Sequence, residues 1–213
     1  MIRSSFTFED FQSRANVSRE TLDKLQVYAD LLLKWQASVN LVGPGTVPEI
    51  WHRHFFDSAQ LFPYLISDGP VIDMGSGAGF PGLVLAAMGR RDVILIESNG
   101  KKCTFLRDVN RQLSLDVTIC QARIEACGPL PVARYVVSRA LAPLEMLLLY
   151  AHPLLADDGT CLFFKGRSVE TELTKVKKKW IMQCNSYPSE TDPQGVILNI
   201  GGLAPRYEGL ETQ

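Results

Sequence analysis

The sequence predicts an α/β protein. It reads as a mostly parallel sheet covered by helices on both faces, preceded by a helical extension and closed by an antiparallel strand. Three observations predict this arrangement. From Val71 onward, short apolar runs alternate with stretches of helical spacing. A glycine-rich loop, Asp73-Met74-Gly75-Ser76-Gly77-Ala78-Gly79-Phe80-Pro81-Gly82, joins the first run to the first helical stretch. Roughly the first 65 residues show helical periodicity alone.

The elements follow in chain order. From Ser18, Leu22, Leu25, Ala29, Leu32 and Leu33 keep the i, i+3, i+4 period of an amphipathic helix, with Tyr28, Leu31 and Trp35 widening the stripe. Such a helix needs a partner surface. Gly43-Pro44-Gly45 breaks the chain, and Thr46-Val47-Pro48-Glu49 has the S/T-x-x-E form of a capping box, predicting a second helix through Trp51 to Phe55. Asp68-Gly69-Pro70 marks the boundary between an N-terminal extension, 1–67, and the α/β domain, 68–213.

Strands are predicted at Val71–Asp73, Val93–Glu97, Val117–Cys120, Tyr135–Ser138 and Thr160–Lys165, with helices at Leu83–Met88, Lys101–Leu113, Leu144–Leu149 and Val169–Trp180. Gly195–Ile200 reads as a member of an antiparallel hairpin. In such a sheet, ligands bind outside the carboxyl ends of the strands. Those ends are Asp73 with its glycines, Glu97, Gln121–Glu125 and Ser138-Arg139, four loops lining one crevice.

Length and composition set the bounds. A chain of 213 residues with 46% hydrophobic content can build one full core plus an appendage. Five cysteines, odd in number and without C-x-x-C spacing, indicate neither a disulfide framework nor a zinc site and suit a reducing cytoplasm. Met1–Asp10 lacks an apolar signal core, and no run approaches the roughly 20 apolar residues of a membrane span, so a soluble cytoplasmic protein is expected. A net charge of −1 and a pI near 6.3 argue against a free-standing, strongly basic RNA binder. Any nucleic-acid contact must then be local, at His52-Arg53-His54, at Lys101-Lys102 with Arg107 and Arg111, or at Lys175, Lys177, Lys178 and Lys179.

Glycines in the loop let the main chain turn with φ > 0 and let a ligand approach bare backbone. Two ligand classes fit. Gly77-x-Gly79-x-x-Gly82, with Glu97 placed to meet a ribose, has the form of a dinucleotide fingerprint. Shifted by two residues, the same stretch reads acidic-x-Gly-x-Gly-x-Gly with Asp73 at the strand end, the form of an S-adenosylmethionine loop. A pyrophosphate about 4 Å from the Asp73 carboxylate would be repelled by roughly 4 kcal/mol at an effective dielectric near 20. S-adenosylmethionine brings an ammonium and a sulfonium instead, and its ribose still has use for Glu97.

The turn after the fourth strand, Ser138-Arg139-Ala140-Leu141-Ala142-Pro143, narrows the acceptor. It holds no cysteine for attack on a pyrimidine carbon and no Asn/Asp-Pro-Pro-aromatic turn for an exocyclic adenine amine. Carboxylates that would hold a metal for catechol-like oxygens are also missing, so no metal is expected. An acceptor with its own lone pair and no proton to lose, such as guanine N7, fits what remains. Proximity alone can contribute roughly 7–11 kcal/mol to such a transfer. Arg139 is the catalytic candidate, since a guanidinium at a strand end can pair with a carboxylate, a phosphate or the guanine acceptor edge. His52 and His54 lie beside Asp57 in the predicted second helix, where structural or phosphate-binding roles suit them better than base catalysis.

Taken together, these residues resemble a known family, the bacterial small-subunit ribosomal RNA guanine-N7 methyltransferases called RsmG or GidB. The resemblance rests on Lys34-Trp35 with Asn40-Leu41, His54-Phe55-Phe56-Asp57-Ser58 and the loop Asp73–Gly82. It continues through Glu97-Ser98-Asn99-Gly100-Lys101-Lys102 with Phe105-Leu106, Ala122-Arg123-Ile124-Glu125, Ser138-Arg139-Ala140 and Lys165-Gly166. Ala59, Lys102 and Arg134-Tyr135 depart from the family pattern, all outside the donor loop.

The resemblance implies a Rossmann-like S-adenosylmethionine-dependent methyltransferase fold. It implies S-adenosyl-L-methionine as cofactor, contacted by Gly75, Phe80, Ile124, Glu125 and Arg139 with Glu97 near the ribose, and the loop reading adds Asp73, Gly77 and Gly79 to the cofactor-binding set. It also implies transfer to N7 of guanine 527 in the decoding-region loop of 16S rRNA, within a small subunit or its precursor; a monomer and direct in-line transfer without a covalent intermediate are expected. His54, Lys101, Lys102, Arg123 and Lys165 are the candidates for meeting the RNA. Two other readings compete: a non-catalytic ribosome-assembly factor and an NAD-dependent oxidoreductase.

Overall fold

A computed structural model of the chain describes residues 6–206; Met1–Ser5, half of the stretch read for a leader, and 207–213 lie outside the described residues. The extension opens with an unanticipated helix, α1 (Phe8–Arg14). Thr7 and Asp10 form its capping box, each side chain accepting from the other's main-chain N–H. Helix α2 (Arg19–Gln36) starts as expected, with Ser18 Oγ accepting from Thr21 N at 3.2 Å. It buries Leu22, Leu25, Tyr28, Ala29 and Leu32, while Leu33 remains exposed.

The second predicted helix differs from its expectation. Pro44–Glu49 forms a 3-10 segment, Trp51–Phe56 a π-helical turn, and α3 is only Asp57–Ala59. The expected capping box does not form. Thr46 lies inside the 3-10 segment, and its hydroxyl donates to the Gly43 carbonyl at 2.8 Å and meets His54 Nε2 at 2.7 Å. The wider π turn presents His54 and Asp57 toward the sheet's carboxyl ends, where π-helical insertions commonly serve function.

The sheet comprises β1 (Val71–Met74), β2 (Val93–Ile96), β3 (Val117–Cys120), β4 (Ala133–Arg139), β5 (Leu155–Lys165), β6 (Trp180–Pro188) and β7 (Val196–Pro205), in the order β3-β2-β1-β4-β5-β7-β6. Neighbours are parallel except for β7, which runs antiparallel to both β5 and β6. The expected mostly parallel sheet with an antiparallel C-terminal strand is present. Helices α4 (Gly82–Ala87), α5 (Gly100–Gln112), α6 (Leu144–Ala151) and α7 (Val169–Val176) complete the layers. The helix expected to run to Trp180 ends at Val176, and Trp180 instead opens β6 opposite Pro205. Strand β6 had not been anticipated.

Strand side chains alternate between two cores. Val71, Leu95 and Val137 face α4, α5 and the extension, in one cluster with Phe11, Leu25, Tyr28, Phe55, Leu83 and Phe105. Ile72, Ile94 and Val136 face α6 and α7, with Leu144, Leu148, Phe163 and Leu173. The extension therefore shares its core with the sheet. Each large apolar side chain it buries fully, Phe11, Leu25, Leu32 and Phe55 among them, contributes roughly 1.5–3 kcal/mol.

Cys120 and Cys127 are brought near one another, their Cα atoms 7.0 Å apart, because the short turn Ile124–Ala126 folds the chain back after β3. A spacing of this kind gives no C-x-x-C signal. Among the described residues, no helix is long and apolar enough to cross a membrane, and no group of His, Cys, Asp or Glu could hold a metal ion.

Candidate functional site

Strand β1 sits between β2 and β4, so the strand order reverses there and a crevice opens at the carboxyl ends. The loop leaving β1 has positive φ at Gly75, Gly77 and Gly79 (69°, 59° and 93°), a region that side chains disfavour. Crowding adds to this at Gly75, where a Cβ would lie 2.6 Å from Leu141 Cδ1. The loop is laced to β2: Gly75 N donates to the Ile96 carbonyl at 2.9 Å, and Gly77 N to Glu97 Oε2 at 2.9 Å. The other Glu97 oxygen accepts from Asn99 N at 2.7 Å, and Asn99 in turn caps α5.

Asp73 is fully buried beneath this loop and lines neither of the cavities above it. Its Oδ2 accepts from Gly82 N at 2.8 Å, which fixes the start of α4. Among the described residues its Oδ1 has no partner, and neither has the buried Ser76 Oγ. Burial raises the Asp73 carboxyl to about 7, against the opposing pull of the Gly82 N–H and the Arg139 charge. A carboxyl in this state gains from a cation placed above it. The residues present thus fit a cationic nucleoside, with backbone cradle, orphaned oxygens and a ribose-height carboxylate at one strand end.

Two cavities meet over the loop. One of about 280 Å³ is walled by Glu97, Arg123, Ile124, Glu125, Leu141 and Tyr150, among others. The Tyr150 hydroxyl donates to Glu125 Oε1 at 2.7 Å and holds that wall. The second, of about 540 Å³, reaches from the loop to His54, Asp57, Phe80, Arg139, Lys165 and Asp192. Gly75, Gly77, Lys102 and Ala140 line both, so a two-ended ligand can pass from one to the other. Ala140 carries a positive φ of 52°, a conformation unusual for alanine and often kept at functional turns.

Arg139 is fixed rather than free. Ser138 Oγ donates to the Met74 carbonyl at 2.9 Å, tying β4 to β1 just before the turn. The guanidinium donates to the Arg53 carbonyl (2.7 Å), to Asp57 Oδ2 (3.2 Å) and to His54 Nδ1 (2.8 Å), and lies over the Phe80 ring. These bonds settle the histidine tautomer. The Thr46 hydroxyl spends its proton on Gly43, so His54 Nε2–H donates to it and Nδ1 accepts from Arg139. Burial, reinforced by Arg139 and Arg53, lowers His54 to about 3, and the ring is neutral at physiological pH.

The opposite side of Asp57 binds the loop between β6 and β7. Its Oδ1 accepts from the Thr191 hydroxyl and from Gln60 Nε2 (3.3 Å), while Gln60 Oε1 accepts from Glu190 N at 2.7 Å. Ser189 N donates to the Gly195 carbonyl at 2.9 Å and closes that loop on itself. The extension, the turn after β4 and the β6–β7 loop thus form one hydrogen-bonded wall.

The remaining sequence candidates separate by placement. Lys101 is exposed and lines neither cavity, Arg123 is exposed at the edge of the smaller one, and Lys102 stands where the two join. Lys165 is mostly buried against Glu172 at 2.7 Å, and Glu172 also accepts from Leu144 N and Ser168 Oγ. The lysines after α7 lead into Trp180, whose partner Pro205 lies at the end of the hairpin away from Lys165 and Val196. Sequence reasoning missed Gln60, Tyr150, Thr191 and Asp192. No spacing marks them, and only Thr191 and Asp192 had a signal, the turn composition of Ser189-Glu190-Thr191-Asp192-Pro193-Gln194-Gly195.

Comparisons with known proteins agree with this architecture. Residues 21–193 match the family model described as rRNA small subunit methyltransferase G. A ribosomal RNA small subunit methyltransferase G of Paramagnetospirillum magneticum is 53% identical over 193 residues, covering 90% of this chain and 94% of that protein. One of Rhodospirillum centenum is 48% identical over 204 residues, covering 95% and 94%. Among solved structures, ribosomal protein L11 methylase from Lactobacillus delbrueckii subsp. bulgaricus shares the fold, with TM-score 0.55, 14% identity and coverage of 71% and 77%.

Proposed function

The chain belongs to the rRNA small subunit methyltransferase G family, and from that premise we propose that it methylates N7 of a guanine in 16S rRNA, guanine 527 of the decoding-region loop. The substrate is the small ribosomal subunit or its precursor, and the enzyme works in the cytoplasm as a monomer. One observation carries the choice of acceptor. The wall of the larger cavity holds no cysteine, and both nitrogens of its one histidine are engaged. An acceptor that brings its own lone pair and surrenders no proton suits that wall.

The residues divide by role. The main chain at Gly75, Gly77 and Gly79 cradles the donor, Asp73 supplies negative charge from beneath, and Glu97 takes the ribose hydroxyls. Ile124 and Glu125 wall the adenine, and Phe80 backs Arg139. S-adenosyl-L-methionine would supply an electrophilic methyl group on its sulfonium, and direct transfer to the N7 lone pair would need no covalent enzyme intermediate. Arg139, held on three sides, keeps one orientation toward the acceptor, so alignment does most of the catalysis. Lys101, Lys102 and Arg123 meet RNA at the mouth. His54 and Lys165 serve from within, the first by orienting Arg139 and the second through its pair with Glu172.

The test maps N7-methylguanosine in 16S rRNA by borohydride and aniline cleavage after incubating unmethylated small subunits with the protein and S-adenosyl-L-methionine. A single enzyme-dependent break in the decoding-region loop is expected. Methylation elsewhere, or at another atom, rejects this assignment.

A further inference from the structure

The larger cavity contains two carboxylates, and they differ in what they have left to offer. Asp57 has both oxygens occupied, by Arg139 on one side and by Thr191 and Gln60 on the other. Asp192 uses only Oδ1, which accepts from Gln194 N at 3.0 Å. Its Oδ2 has no hydrogen-bond partner among the described residues, and the side chain is only partly buried. The loop that carries it is closed by Ser189 N on the Gly195 carbonyl and by Gly195 N on the Asp192 carbonyl, both at 2.9 Å. Thr191, the residue before it, is bonded to Asp57, so Asp192 is tied to the assembly that fixes Arg139.

Resting on the reading of guanine N7 as acceptor, we propose that Asp192 is the residue that selects guanine, its carboxylate accepting from N1–H and the N2 amino group of the flipped base. The chemistry is complementary. Guanine is the RNA base with two adjacent donors on one edge, and a carboxylate offers two adjacent acceptors. Adenine would place the bare N1 acceptor against the same oxygen, which a carboxylate repels. Charge gives Asp192 a second role. As the N7–methyl bond forms and the sulfur–methyl bond breaks with its electron pair going to sulfur, the positive charge passes from the donor to the purine ring. A carboxylate at the N1 edge stabilises that ring more in the transition state than before it. Asp192 lines the larger cavity and not the smaller one walled by Glu97, Ile124 and Glu125, so its effect is expected on the acceptor.

The experiment compares wild type with Asp192→Asn on unmethylated small subunits and on subunits reconstituted with inosine, which lacks the N2 amino group, at the target position. Asparagine keeps the Oδ1 contact to Gln194 N, so the loop retains its closure. Single-turnover methylation by wild type should fall about tenfold from guanosine to inosine, the worth of one charge-assisted hydrogen bond. Asp192→Asn should be slower on guanosine by about tenfold or more and show less than about a twofold preference between the two. Its affinity for S-adenosylhomocysteine, measured by calorimetry, should equal that of wild type. Equal rates for Asp192→Asn and wild type on guanosine overturn the proposal, as does a variant that keeps the wild-type preference. Wild type that does not discriminate against inosine overturns it whatever the variant does. Wild type that forms neither N7-methylguanosine on the guanosine subunit nor N7-methylinosine on the inosine subunit instead defeats the underlying reading of the acceptor.

Discussion

The donor loop and the acceptor wall face one another across the same crevice but are built by different means. The loop takes its shape from its own backbone: three glycines with positive φ, bonded to the adjacent strand and braced from below by Asp73, nine residues before its partner Gly82. The wall takes its shape from side chains far apart in sequence. Arg139 reaches His54 across 85 positions, and Thr191 reaches Asp57 across 134. Local backbone rules can specify a binding site for a small, constant ligand. The wall, on the proposed reading a surface for one nucleotide in a large RNA, is assembled from three segments that meet only in the folded chain.

Substitutions can break or sharpen that contrast. The largest effect is expected for Arg139→Ala. Methyl transfer to the subunit should fall about a hundredfold to a thousandfold, as when a positioned electrostatic partner is lost. Affinity for S-adenosylhomocysteine should change less than about tenfold, and Arg139→Lys should not rescue, because lysine lacks the planar fork that engages Asp57 and His54 together. Equal losses in donor affinity and in transfer would erase the division between loop and wall.

Gly75→Asp should act on the other side. A side chain at φ 69°, pressed on Leu141, should weaken S-adenosylhomocysteine binding by about thirtyfold to a hundredfold in calorimetry. Unchanged binding would show that bare main chain is not what the loop offers.

Thr191→Val combined with Gln60→Leu removes the bonds joining the β6–β7 loop to the extension. If about 1 kcal/mol, the net worth of one such bond, passes into subunit binding, KM for the subunit should rise about fivefold while donor affinity stays constant. A fall in donor affinity instead would place that loop on the donor side.

The smallest effect is a pH dependence. The carboxyl of Asp73 is raised to about 7 in the folded protein, so its contribution to stability is present below the unfolded value near 4 and is lost as pH rises through 7. The melting temperature of the ligand-free protein should therefore decline between pH 5 and 8, and Asp73→Asn should flatten that decline. Donor affinity should move oppositely, rising about threefold to fivefold from pH 6 to 8 as the carboxyl ionises beneath a cation. Donor affinity that is flat over this range in wild type would remove Asp73 from the donor's electrostatics.

The same contrast explains how much was legible in the sequence. Strand β1, the glycine loop, Glu97, helix α5 and the Ser138-Arg139 turn could be read because each depends on neighbours within a few residues. Strand β6 could not. Its exposed faces at Gln183, Asn185 and Ser186 carry no continuous apolar run, and the lysines before it prolong a helical pattern that ends at Val176. The capping box failed because Thr46 found a better partner in His54, eight residues on, and no local rule foresees that bond. Asp73 was read correctly as an acid at the strand end, yet its position beneath the loop rather than facing the crevice follows from tertiary burial.

Tyr28 carries a consequence for the modularity of the molecule. It comes from helix α2, is fully buried, stacks on Phe80 and donates its hydroxyl to the Ala78 carbonyl. A residue of the extension thus forms the underside of the loop proposed to cradle the donor. The two parts cannot be exchanged like cassettes: an extension grafted from an enzyme with another RNA target would need to bring an equivalent tyrosine at an equivalent height, or the recipient would lose grip on the methyl donor along with its old substrate.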